Sequence, residues 1–338
     1  MISDKIFHGA LRRIGSRDAE TAHNAAVNVM RLVQKSTWML ERISEAYQPH
    51  NLVPVEVCGI KFPHRVGAAA GLDKQGQVLP FLQAMGFGFI EVGSVLPRPQ
   101  LGSPRPRFFL LPGEYAAINR FGFNSFGVKV VAKNIDRIRS TIHIPIGVSL
   151  GANKEDVGDD AKVLDGYHAV MMLTSQFASY FALNVSSPNT ENLRDLQAVD
   201  KIRTMAAGVV EKANSVPVFV KFAPDMRDDE LVASAEACLE VGVSGFIATN
   251  TTLSREGVFG SKHSGQTGGL SGMPLLNRAV ECVRILRSVD REIPIFGVGG
   301  VSNFDDASAM FTAGANLVQF YTALFHQGPI ALRRISDK

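Results

Sequence analysis

The chain reads as an α/β protein, a closed (β/α)8 TIM barrel with a small N-terminal helical extension. Two observations predict this. Eight short apolar, β-rich runs recur along the 338 residues, each bounded by Gly, Asn, Lys or Thr. Longer amphipathic stretches separate them, and continuous apolar strands alternating with helices imply a parallel sheet buried on both faces. Eight such units fit a closed barrel better than an open sheet. The doubly wound alternative needs a Gly-rich fingerprint after its first strand, and Gly67-Ala68-Ala69-Ala70-Gly71 does not supply one.

Residues 1–52 stand outside the repeating pattern and are expected as a separate helical segment, with 53–338 as the barrel. From Asp18, a candidate N-cap, the residues Ala22, Ala25, Ala26, Val29, Met30 and Val33 recur at helical spacing. A second helical stretch carries Trp38, Met39, Leu40 and Ile43 and ends before Pro49. By itself the pair fits a cap that closes the barrel bottom or packs on its side. It also fits an amphipathic pair presenting an apolar face to lipid. The strand runs follow at 66–70, 89–93, 144–150, 180–185, 218–222, 245–249, 294–298 and 316–321. Helical patterns lie between them, among others at 128–138, 229–241, 275–286 and 304–313.

Composition narrows the function classes. The chain is 46% hydrophobic and 20% charged, as ordinary globular proteins are. Its net charge of +3 comes with no basic stripe, which argues against nucleic acid. Cys58, Cys238 and Cys282 are isolated, which fits a reducing compartment and neither structural zinc nor a disulfide framework. No apolar run approaches the ~18 residues of a membrane span, and the opening Met1-Ile2-Ser3-Asp4-Lys5 lacks a signal-peptide core. A soluble or peripheral protein is expected.

In a (β/α)8 barrel the residues just after each strand converge on one face. Here those positions carry Gly71-Leu72-Asp73-Lys74, then Ser94 with a long loop bearing Asn119-Arg120-Phe121-Gly122-Phe123-Asn124. Ser149 and Asn153 follow, then the segment Asn184-Val185-Ser186-Ser187-Pro188-Asn189-Thr190, whose proline fixes a polar turn at a strand end. Lys221, Thr249-Asn250-Thr251, Gly297-Val298-Gly299-Gly300 and Tyr321-Thr322 complete the set. The last two groups match the usual barrel phosphate site, for a phosphorylated substrate or a cofactor such as FMN. Lys221 closes a buried strand and should face an anion or an electron-rich ring. Asn119, Asn184, Asn189 and Asn250 offer donors and acceptors without charge, which suits a flat imide such as a pyrimidine, with Lys74 balancing a carboxylate. His143, His168, His263 and His326 fall away from the strand ends, so no nucleophile–His–acid triad is expected. No HExxH or carboxylate cluster suggests a metal.

Together these motifs resemble dihydroorotate dehydrogenase, and within it the membrane-associated, quinone-using class 2. The resemblance covers nearly the whole chain. It also rests on Ala69–Lys74, Pro97-Arg98-Pro99-Gln100, Val220-Lys221-Phe222-Ala223-Pro224-Asp225 and Thr267-Gly268-Gly269-Leu270-Ser271-Gly272, with Asp18-Ala19-Glu20-Thr21-Ala22-His23 at the start of the quinone-site helices. It implies oxidation of (S)-dihydroorotate to orotate in pyrimidine biosynthesis, with hydride passing to FMN and then electrons to ubiquinone or menaquinone. It implies Ser187 as the base, where class 1 enzymes carry cysteine. Lys221 would lie by the flavin's N1/O2 edge.

By the same resemblance Ala70, Gly71, Lys74, Ser94, Ser149, Asn184, Lys221, Thr249, Gly272, Gly300, Tyr321 and Thr322 would hold FMN. Lys74, Asn119, Arg120, Phe121, Gly122, Phe123, Asn184, Asn189, Asn250 and Thr251 would hold substrate, and His23 would serve the quinone site. The N-terminal helices would dock on the cytoplasmic face of the cell membrane as a peripheral attachment. The oligomeric state stays open, a monomer being allowed. Two residues depart from the family pattern: Ser149 stands where asparagine is usual beside the flavin, and Leu110 where an arginine is common near the quinone. The competing readings are a soluble class 1-like enzyme using fumarate or NAD, and a non-catalytic barrel that senses FMN or a pyrimidine.

Overall fold

The computed structural model describes residues 19–50, 52–190 and 193–337; Asp18, the expected N-cap, lies outside them. Two short strands, β1 (Val55–Val57) and β2 (Ile60–Phe62), pair antiparallel ahead of the barrel. The barrel strands are β3 (Val66–Ala68), β4 (Ile90–Val95), β7 (Ile146–Leu150), β8 (Tyr180–Asn184), β9 (Val218–Phe222), β10 (Gly245–Ala248), β12 (Ile295–Val298) and β13 (Leu317–Phe320). They pair parallel in chain order, and β13 closes on β3. All eight expected runs are therefore strands. The 218–222 run has the limits read from sequence, while the others differ by one or more residues where the chain peels off the ladder into loops.

Inside the barrel, Phe89, Tyr180, Phe219, Phe296 and Leu317 form one cluster with Phe62. Phe62 meets Phe89 edge-on at 5.2 Å between ring centroids. These residues lie at or near the N-terminal ends of the strands, so the β1–β2 hairpin plugs the barrel bottom. The outer helices each turn an apolar stripe to the strands. Asp160–Thr174 buries Val163, Tyr167, Val170, Met171 and Thr174, with Asp159 capping its N-terminus through Lys162 N. Each such large apolar side chain contributes about 1.5–3 kcal/mol on burial.

One element was not foreseen. Strands β5 (Phe108–Leu111), β6 (Ala116–Asn119) and β11 (Gly269–Gly272) form a three-stranded antiparallel sheet, with β6 in the middle. The stretch before Asn119 was expected as loop. Its strands are only four residues long, and β11 is recruited from a distant part of the chain, so no local periodicity announces them.

The N-terminal helices are Ala19–Val33 and Thr37–Tyr47. Ser36 caps the second by accepting from Met39 N, and that helix stops before Pro49 as expected. The first packs by Ala19 against Phe108, Ala117 and Phe121, beside the unforeseen sheet. The pair therefore does not close the barrel bottom. Val29, on the helically spaced apolar stripe read from the sequence, is 58% exposed.

Candidate active site

A cavity opens at the C-terminal ends of the strands. Its wall carries nearly every residue singled out from the sequence: Ala70, Gly71, Lys74, Ser94, Asn119, Phe121, Gly122, Phe123, Asn184, Ser187, Asn189, Lys221, Thr249, Asn250, Thr251, Gly272, Gly300, Tyr321 and Thr322. The ladder sets the placement: Asn184 ends β8 and pairs in register with Lys221 of β9, while Asn119 ends β6 opposite Gly269. Three expected residues stand elsewhere. Ser149 is wholly buried behind the wall and reaches it through Ser94, Oγ to Oγ at 2.9 Å. Arg120 turns away, donating to Gln266 Oε1 at 2.8 Å and stacking over Phe109. His23 sits on the first helix, its ring 5.8 Å from that of Phe325.

Amides and hydroxyls hold one another in a fixed array. Asn184 Nδ2 donates to Ser94 Oγ at 2.8 Å, and Asn250 Nδ2 donates to Asn184 Oδ1 at 3.1 Å and Ser186 Oγ at 3.0 Å. Asn189 Nδ2 donates to Asn119 Oδ1 at 3.1 Å. Ser187 Oγ accepts from the backbone N–H of Asn189 at 3.3 Å, a bond that favours negative charge on that oxygen. The loop bearing Ser187 is anchored by Arg194, which donates to Ser186 O, Thr251 O and Asp225. Among the described residues, Asn189 Oδ1, Thr251 Oγ1, Tyr321 OH and Gln319 Oε1 are buried with no hydrogen-bond partner. Such orphans on a cavity wall mark a ligand that would complete them.

Two cations face this array. Lys74 Nζ donates to Asn124 Oδ1 at 2.9 Å and lies 3.2 Å from the centre of the Phe121 ring. Burial, with the positive Arg107 nearby, lowers its pKa to about 7, and Glu20 partly offsets this. Lys221 Nζ lies 3.8 Å from Glu91 Oε1. Glycine backbone forms the opposite wall. Gly300 has φ +79, and a Cβ there would meet the backbone nitrogen of Leu276 at 2.7 Å. No other residue type fits that approach.

A model of the dihydroorotate dehydrogenase family matches residues 52–338. The chain belongs to this family. It is 42% identical to the dihydroorotate dehydrogenase (quinone) of Chloroflexus aurantiacus, over 96% of this chain and 93% of that protein. It is 40% identical to the dihydroorotate dehydrogenase (quinone) of Delftia acidovorans, over 92% of this chain and 91% of that one. The crystal structure of the Eimeria tenella enzyme in complex with ferulenol superposes with a TM-score of 0.82 at 34% identity, over 95% and 90% of the two chains.

Sequence reasoning missed several residues of this dihydroorotate dehydrogenase site. His326 lines the cavity, its Nε2 3.1 Å from Ala116 O, although it was expected away from the strand ends. It rides on the Thr322–Gln327 helix, so a reading restricted to strand ends passes over it. Tyr115 and Met273 enter the wall with the antiparallel sheet. Beside the site, Arg107 makes a buried ion pair with Glu20 of the first helix at 2.8 Å, and Arg105 joins at 3.2 Å. His23, packed among these groups, has its pKa lowered to about 4, chiefly by burial and then by Lys74, so its ring is neutral near pH 7. Leu110 lies in β5 against the Ala19–Phe108–Phe121 cluster, apolar where an arginine was the family expectation.

Proposed function

We infer that the chain is a quinone-dependent dihydroorotate dehydrogenase, which oxidises dihydroorotate to orotate in pyrimidine biosynthesis. The observation that carries this is the wall of uncharged amides with one carboxylate-balancing lysine, set in a chain 42% identical to a protein named for that activity. The residues fit FMN: orphaned Tyr321 OH and Gln319 Oε1 offer it polar partners, and the glycine backbone at 299–300 allows its close approach. When bound, FMN supplies the hydride acceptor, and quinone is the final electron acceptor.

The chain's own residues would do the rest. Asn119, Asn184, Asn189 and Asn250 bond the imide edges of the substrate, and Lys74, protonated when it meets an anion, pairs with its carboxylate. Ser187 Oγ takes the proton from the ring carbon adjacent to the one that loses hydride. A serine hydroxyl is a weak base, and the Asn189 N–H at 3.3 Å offsets part of that weakness by stabilising charge on the oxygen. Lys221 supplies positive charge toward the FMN ring, and Ala70, Gly71, Ser94, Thr249, Gly272, Gly300, Tyr321 and Thr322 would cradle the cofactor. Ser149 would act only through Ser94.

The division at about residue 52 separates this chemistry from a quinone-handling segment. Val29, Leu32, Trp38 and Met39 are 58%, 66%, 62% and 42% exposed on the two helices, with Arg31, Lys35 and Arg42 nearby. Exposed apolar groups among cations suit a helix pair lying on an anionic membrane surface. No helix of the described residues is long and apolar enough to cross a membrane, so attachment would be peripheral. His23 and Leu110 would border the quinone path.

An anaerobic assay tests the reading. Dihydroorotate should bleach the flavin and quinone restore it, while fumarate and NAD do not. Ser187→Ala should slow bleaching by about 10²–10⁴-fold with flavin content unchanged. A flavin that never bleaches would overturn the assignment, and recovery with fumarate or NAD would move it to the class 1-like reading.

A further inference from the structure

Beneath the cavity floor lies a carboxylate that the reaction above does not use. Glu91 of β4 is 0% exposed, inside the barrel. Its Oε2 accepts from Gln319 Nε2 at 2.8 Å and from Tyr180 OH at 3.2 Å. Its Oε1 has no hydrogen-bond partner among the described residues, and Lys221 Nζ stands 3.8 Å from it. That separation is too long for a hydrogen bond, so the ammonium protons of Lys221 stay free for the cavity it lines. The four groups come from four different strands, β4, β8, β9 and β13, so the cluster exists only in the closed barrel.

A purely structural role is a poor account of this arrangement. Apolar side chains in place of both Glu91 and Lys221 would avoid the desolvation of two charges, and buried pairs commonly lose that comparison. The carboxylate is also left with one oxygen unsatisfied, which a structural network would avoid. What the geometry does achieve is electrostatic. A fixed negative charge behind Lys221 cancels part of the positive field that Lys221 projects into the cavity. Tyr180 moderates that charge: its pKa is raised well above the usual phenol value by burial and by Glu91 itself, so it stays a donor.

We propose that Glu91 is a positioning residue that holds Lys221 at the cavity floor and weakens its stabilisation of negative charge on the cofactor ring, setting the flavin's reduction potential with Tyr180 as its modulator. The proposal rests on the FMN reading above.

The test is an anaerobic redox titration of the holoenzyme with dithionite and an indicator dye, without dihydroorotate. Glu91→Gln keeps the shape and the acceptor for Gln319 and Tyr180 but removes the charge. It should retain FMN and bind the reduced form at least tenfold more tightly relative to the oxidised form, a positive shift of about 30 mV for a two-electron couple. Tyr180→Phe leaves the carboxylate with one donor fewer and should shift the potential the other way, by a smaller amount. An unmoved or negative potential in Glu91→Gln overturns the proposal. Should that variant not fold, an unmoved or positive potential in Tyr180→Phe overturns it. Failure of the functional reading looks different: the wild-type flavin would titrate with dithionite yet stay yellow with dihydroorotate.

Discussion

The barrel strands and the two N-terminal helices treat apolar residues in opposite ways. Every residue of β8 and β9 is buried, including polar Asn184 and Lys221, and the outer helices each bury a stripe against them. The Thr37–Tyr47 helix buries no residue, and Ala19–Val33 buries only Ala19, Glu20 and Ala22. The first helix is tied down by the Glu20–Arg107 pair at 2.8 Å together with the packing of Ala19 against Phe108, Ala117 and Phe121. A buried pair of this kind is strongly destabilising when one partner is removed, which favours a specific seat over a tight one. The barrel thus has an apolar core of its own, whereas the helices leave apolar surface open to a further partner. Chemistry that needs fixed geometry sits on the first region, and delivery of an oily acceptor suits the second.

Removing residues 1–52 should sharpen this contrast most. Reduction of long-chain quinone should be lost, while dihydroorotate still bleaches the flavin, because the amide array is held by barrel strands and loops. Rapid-mixing spectroscopy of the FMN-loaded truncation measures both. Loss of both in a folded protein would break the division of labour.

Lys74 probes the seam between the regions, since its pKa of about 7 reflects burial, Arg107 and Glu20 together. Below pH 7 the lysine is charged before an anion arrives. Above it, binding a carboxylate requires uptake of a proton, so orotate affinity should fall about tenfold per pH unit. Spectral titration of orotate across pH 6–9 reads this slope, and Lys74→Met should abolish it. In the same window the unfolded chain binds the extra proton, because the folded pKa lies below the usual 10.5, so the ligand-free protein should gain stability as pH rises from 7. A flat orotate affinity would show that Lys74 does not meet the anion.

The smallest effect is expected at Ser149, which sits one layer behind the cavity and bonds through its hydroxyl to Ser94. Ser149→Asn installs the residue that the resemblance led one to expect and should leave flavin content unchanged or raised, as read by absorbance of the purified protein. A clear loss would show that the pocket behind Ser94 has closed around the shorter side chain.

Legibility followed locality. The strand ends could be read because a parallel barrel places them on one face by construction, and so Ser187, Lys221 and Asn250 were found without any contact information. The Phe304–Ala313 helix was bounded to the residue because Asn303 caps it and Gly314 ends it in the left-handed region. Arg120 misled because a motif gives membership of a segment and not side-chain direction: its neighbour Phe121 faces the cavity and it does not. Glu91 was invisible because inside an apolar strand it looks like any other polar interruption.

The order of apolar runs, turn residues and caps in the sequence determined the barrel, its helices and which loops converge, since each follows from backbone propensity and burial over a few residues. Only the tertiary structure decided the antiparallel sheet of β5, β6 and β11, the hairpin plug under the barrel, the seat of the first helix on Arg107 and the charged floor of Glu91 and Lys221. Those features join residues far apart in the chain, and the ladder bonds, apolar packing and charge pairing that hold them exist only after the chain has closed.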